Sequence, residues 1–138
     1  MRELPVRLPP GVDLRRELER LGNEHLPTGA FVLAGIGSLV DPRLRFAGRE
    51  DESALVGPYE LVTLSGTLTP QGAHLHASLS AEDGQVLGGH ITYGNVVRTT
   101  AEVLLVELAA WSLTRVHDTS TGFLELKASS VNRGESAA

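Results

Sequence analysis

Residues 74–80, HLHASLS, alternate strictly between polar and apolar positions. On a strand, His74, His76, Ser78 and Ser80 face one way, and Leu75, Ala77 and Leu79 the other. A looser alternation in MRELPVRL, residues 1–8, predicts a first strand that ends at Pro9-Pro10-Gly11. Residues 30–39, AFVLAGIGSL, are apolar and dotted with glycine, which predicts a buried strand that bends or closely approaches another backbone. Further strands are predicted over 44–46, over YELVTLSGTL after Gly57-Pro58, over the β-branched run NVVRTTAEVLLVEL, and over FLELK at 123–127. One segment has the helical period: Leu14, Leu18 and Leu21 form a stripe that Asp13 can cap and Gly22 can stop. The pattern predicts an α+β domain with one main helix and about seven strands in a mostly antiparallel sheet. Residues 1–128 read as a single domain and 129–138 as a disordered tail.

The turn between 80 and 86 decides what the polar face can do. Glu82-Asp83-Gly84 fits a three-residue loop, a type I turn closed by glycine in the left-handed region. That loop pairs Ala81 with Gln85, sets Ser78 opposite Gly88 and sets His76 opposite His90. A two-residue Asp-Gly turn would shift the register by one and put His76 and His90 on opposite faces. Only the longer loop keeps polar against polar and apolar against apolar. Directly opposed Cβ atoms lie roughly 4.5–5.5 Å apart. His74, His76 and His90 can then converge on one ion at metal–nitrogen bonds of about 2.0–2.1 Å. They are the candidate metal ligands, for zinc or a similar divalent cation. Three histidines leave a coordination position for water, a substrate or a carboxylate. The alternative is a solvated histidine face. His25, after the helix end, and His117, in a loop, read as surface residues.

Composition narrows the chemistry. The 138-residue chain has no Cys, so thiol nucleophiles and Cys-based zinc ribbons are excluded. Its formal charge of −5 does not suit a protein that wraps nucleic acid. No apolar run approaches the roughly 20 residues of a membrane span, and MRELPVRLPPG lacks the apolar stretch of a signal peptide, so a cytoplasmic protein is expected. Gly35-Ile36-Gly37 is too short for a dinucleotide fingerprint, so no bound nucleotide cofactor is expected. Glu60, Glu102 and Arg98 are the candidate catalytic side chains, as proton carriers and as a carboxylate holder. Strand-end exposure or structural ion pairing is the alternative for each.

HLHASLSAEDGQVLGGHI closely resembles the signature of the plants and prokaryotes conserved domain. GPYELVTLSGTL, Gly35-Ile36-Gly37-Ser38-Leu39 and TAEVLLVEL resemble its other segments in the same order. The likeness covers roughly residues 5–128. It implies a small α+β domain that forms homotrimers, in a prokaryotic single-domain member. Plant members add AT-hooks, and no Arg-Gly-Arg-Pro element occurs here. Prokaryotic members are often named DNA-binding by that analogy. Members with this histidine pattern look like metal binders. The fold implied is similar to that of acetolactate decarboxylase, whose zinc sits on a like set of three histidines. Two functions follow as expectations. One is a trimeric metal-binding module for binding or assembly. The other is a metal-dependent lyase or hydrolase acting on a small acid or ester.

Overall fold

A computed structural model describes residues 1–131 and the backbone of 136–137. The elements are β1 (Arg2–Leu8), α1 (Leu14–His25), β2 (Ala30–Val40), β3 (Arg43–Arg45), β4 (Ser53–Ala54), β5 (Pro58–Thr69), β6 (Gly72–Ser80), β7 (Val86–Ile91), β8 (Val96–Glu107), β9 (Trp111–His117), β10 (Leu124–Ser130) and β11 (Ser136–Ala137). Eight strands form one sheet in the order β1-β8-β2-β5-β6-β7-β3-β4, and β11-β10-β9 form a second. Every neighbouring pair is antiparallel. The main sheet thus has one strand more than expected. The α+β architecture with a single helix is as the sequence pattern implies.

Pro5 is tolerated in β1 because β1 is an edge strand, where a missing N–H breaks no central ladder. Asp13 caps α1 by accepting from the backbone N–H groups of Arg15 (3.1 Å) and Arg16 (3.2 Å). Leu14 and Leu18 are fully buried and, with Leu8, Leu68 and Leu75, join the helix to the inner face of the sheet. Gly22 does not stop the helix. It lies inside α1, where a Cβ would come within 3.1 Å of the Leu68 side chain, so its bareness lets the helix settle on β5. The helix continues to His25, and the N–H of Leu26 closes it on the Gly22 carbonyl at 2.8 Å.

Two strand features bear on the site. In β5, Leu61 pairs with Leu79 and Thr63 with Ser78, so Val62 is an extra residue in a bulge. The bulge resets the faces: Glu60, Thr63, Ser65 and Thr67 lie with the histidines, and Leu64 faces the core. Strand β9 begins at Trp111, a stretch in which no strand is predicted. Its Leu113 is buried and its N–H bonds the Thr28 carbonyl at 2.7 Å, which anchors the β9–β10 ribbon to the body. Strand β10 extends to Ser130, two residues into the segment read as a tail. The rest of that reading falls mainly on 132–135 and 138, outside the described residues. Among the described residues no helix is long and apolar enough to cross a membrane.

Candidate metal centre

The β6–β7 hairpin has the register that amphipathic consistency requires. Gly84 takes φ +83°, its N–H bonds the Ala81 carbonyl at 2.9 Å, and the Ala81 N–H bonds the Gln85 carbonyl at 2.9 Å. His76 pairs with His90, Ser78 with Gly88, and Leu79 with Leu87. The three imidazoles converge. Ring centroids lie 4.9 Å apart for His74–His76, 5.2 Å for His74–His90 and 5.7 Å for His76–His90. One nitrogen from each ring lies within 4.8 Å of the others. The Nε2 atoms of His74 and His76 are 3.1 Å apart. Two nitrogens on one tetrahedral ion, at bonds of about 2.0–2.1 Å, sit about 3.3 Å apart, so this pair is near bridging distance.

Nδ1 of His90 is buried and has no hydrogen-bond partner among the described residues. An orphaned buried nitrogen is costly unless it meets a proton donor or a cation. Burial and the neighbouring Arg45 push the His90 pKa down to about 4, with His74, Arg15 and His76 adding to the fall. Burial, then Arg115, lowers that of His74. Imidazoles kept neutral offer lone pairs, which is the form a metal requires. The donor set and the orphan nitrogen therefore fit a divalent cation.

A second group, absent from the sequence reading, holds the hairpin backbone. Arg15 donates from Nη2 to the Ala73 carbonyl (2.8 Å) and from Nη1 to the Ile91 carbonyl (3.0 Å). It thus ties together the residues next to His74 and His90. Its Nη1 also lies 3.5 Å from His90 Nε2. Glu19 accepts from Arg15 Nε (3.1 Å), the Ala73 N–H (3.0 Å) and the Tyr93 hydroxyl (2.9 Å). The signal in the sequence was a charged pair at i, i+4 beside the Leu14–Leu18 stripe, where side chains border the core.

The predicted catalytic candidates do not join this cluster. Glu60 is exposed and pairs with Ser80, four residues along β6 from His76, roughly 13 Å at strand rise. Glu102 and Arg98 are exposed on β8, which β2 and β5 separate from β6. Alternation put Glu60 beside apolar neighbours, whereas the bulge at Val62 places it on the polar face. His117 is not in a loop: it ends β9, paired with Leu124, and lines a cavity beside His74 and His90. His25 is a partly exposed residue of the last turn of α1.

Comparison with known proteins places this geometry in a family. The family model described as the Plants and Prokaryotes Conserved (PCC) domain matches residues 1–109. A bifunctional protein GlmU from Synechococcus sp. (strain JA-3-3Ab) is 39% identical over 126 residues, covering 91% of this chain and 20% of that protein. The chain thus spans about one fifth of the length of the curated relatives it matches. A solved structure of a hypothetical protein from Salmonella is similar at TM-score 0.90 and 37% identity, over 94% of both chains. A metal-containing protein from Archaeoglobus fulgidus is similar at TM-score 0.77 and 26% identity, over 91% of this chain and 92% of that one. A neighbour from Bacteroides thetaiotaomicron named as DNA-binding, at TM-score 0.78 and 17% identity over 90% of both chains, shows the shared fold alone. With its histidine hairpin, its single helix and a match over most of its length, this chain belongs to the Plants and Prokaryotes Conserved domain family.

Proposed function

We propose that this protein is a homotrimeric metal-binding module in which His74, His76 and His90 of each copy hold one divalent cation, zinc foremost. The observation that carries the proposal is the convergence of three imidazole nitrogens within 4.8 Å, one ring holding a buried nitrogen with no partner among the described residues. Neutral imidazoles suit a borderline cation such as zinc. The metal-containing relative from Archaeoglobus fulgidus supports the same reading. When bound, the cation supplies a Lewis-acid centre with positions left open to water or a ligand. Arg15 and Glu19 keep the ligands in place by fixing the backbone on either side of them. Support for self-association comes from the outer sheet face, where Leu33 (67% exposed), Ile36 (55%) and Val62 (44%) stand in solvent.

Metal analysis tests the site. Purified protein is expected to carry about one zinc per chain, and His76→Ala next to none. A wild-type protein that takes up no stoichiometric metal, and whose melting is unmoved by added zinc, would falsify the proposal. A second reading, a metal-dependent lyase or hydrolase on a small acid or ester, is favoured by the cavity that His74 and His90 line. Its mark is turnover that disappears with chelation and with His76→Ala. DNA binding has only the family naming behind it, against a formal charge of −5 per chain. A mobility shift that appears at low salt and fades steeply as salt rises would revive it.

A further inference from the structure

A cavity of about 570 Å³ opens beside the histidines, with His74 and His90 in one wall. That volume is in the range of small-molecule sites. Its other walls come from distant parts of the chain: Arg15 of α1, Arg45 of β3, and the β9–β10 ribbon with Arg115, Phe123, Leu124 and Glu125. The ribbon lies wholly beyond residue 109, where the family match ends.

Charge in the cavity is unbalanced. Arg15 is committed to Glu19 and to two backbone carbonyls. Arg45 sits directly across from His90 on β3 and forms no ion pair among the described residues. Arg115 is half-buried and donates to the Thr67 hydroxyl. Glu125 is the single carboxylate in the cavity lining, and its field acts on Arg115. Two guanidinium groups thus face one carboxylate, which leaves one positive charge over. Phe123 and Leu124 are 66% and 59% exposed at the same cavity, so neither serves the core.

We infer that the cavity binds a small organic monocarboxylate, held by Arg45 and Arg115, with its hydrocarbon part against Phe123 and Leu124. Guanidinium is the side chain whose fork of donors matches a carboxylate, and a partly dry site strengthens the pairing. This surplus, which a bound cation only increases, favours an anion, and the exposed Phe123 and Leu124 favour one with a hydrocarbon body over inorganic phosphate. The exposed aromatic and leucine side chains give a hydrocarbon body a surface to cover. The inference rests on the metal-centre reading in one respect: the cation would form the wall against which the ligand's polar end lies.

The test is calorimetric titration of the zinc-loaded protein with 4-methyl-2-oxopentanoate, with inorganic phosphate in parallel and zinc content read on the same samples. One carboxylate per chain is expected, bound more tightly than phosphate. Arg45→Gln and Arg115→Gln are each expected to weaken it by about tenfold or more, with zinc retained. Phe123→Ala should weaken this ligand more than it weakens pyruvate. Because Arg115 also holds Thr67, Arg45→Gln and Phe123→Ala carry the test if Arg115→Gln does not fold. With zinc present, an absence of carboxylate binding, tighter binding of phosphate, or binding untouched by the Arg45 change overturns the inference alone. A wild-type protein without zinc sinks the metal-centre reading, and arginine-dependent carboxylate binding in that same sample still upholds the anion site.

Discussion

His90 gathers several physical pressures into one ring. It is partly buried, lies between Arg15 and Arg45, and holds a nitrogen with no partner among the described residues. Its pKa of about 4 has a consequence for stability. The unfolded imidazole takes up a proton near the ordinary 6.5, and the folded one only near 4. Between these values the unfolded chain holds more protons, so stability is complete above about pH 6.5 and declines as pH falls toward 4. Urea unfolding of metal-free protein between pH 7.5 and 4.5 should show this decline, and His90→Gln should flatten it. An unchanged slope in the variant would assign the decline to other groups. Glu19 acts through the backbone: Glu19→Gln loosens Arg15 and the Ala73 N–H together. Competition with a chromophoric chelator should then show zinc affinity lower by about 10–100-fold, the usual effect of losing an outer hydrogen-bond partner.

The hairpin is held in position by contacts to the strands and turns around it. Gly66 of β5 takes φ +144°, and a Cβ there would lie 2.0 Å from the His74 carbonyl oxygen. Gly66→Ala must push β6 away from β5 just where His74 stands. A loss of about 3 kcal/mol, together with weaker zinc binding, is expected from chemical denaturation and metal analysis. Asn95 does similar work for β3. It is fully buried, accepts from the Arg43 N–H at 2.9 Å, and donates to the Arg43 and Thr92 carbonyls at 2.8 Å each. Removing three buried bonds with Asn95→Ala should cost roughly 2–3 kcal/mol in a denaturant melt. It should also loosen Arg45, two residues along. The hairpin itself was legible because its information is local: a strict period of two and a turn that only one loop length reconciles. The Val62 bulge and strand β9 were not legible. A bulge is selected by the neighbouring strand, and β9 is held by Leu113 and by Arg115, whose N–H bonds Gln71 (3.0 Å), both contacts distant in sequence.

Across the molecule, the main sheet packs its inner face on α1 and leaves Leu33, Ile36 and Val62 outside. β2 and β5 run side by side in the sheet, so these side chains form a shared apolar area. Sedimentation velocity of the wild-type chain is expected to report a trimer, and Leu33→Lys with Ile36→Lys a monomer, since a buried lysine at such an interface lacks a partner. A monomeric wild-type protein would end the assembly part of the proposal. The variant monomer should still bind zinc, because all three histidines belong to one hairpin.

The amino-acid order was sufficient for the α+β class, the helix start at Asp13 and the three converging histidines, since each follows from side-chain period, capping or turn geometry over a few residues. It was insufficient for the surroundings of those histidines. Arg15, Arg45 and Arg115 stand 30 or more positions apart in the chain, yet line one cavity. Glu60, Glu102 and Arg98, closer to expectation, lie elsewhere. Which charges meet depends on strand order, on one bulge and on the docking of a terminal ribbon, and these are settled by packing between segments far apart along the backbone.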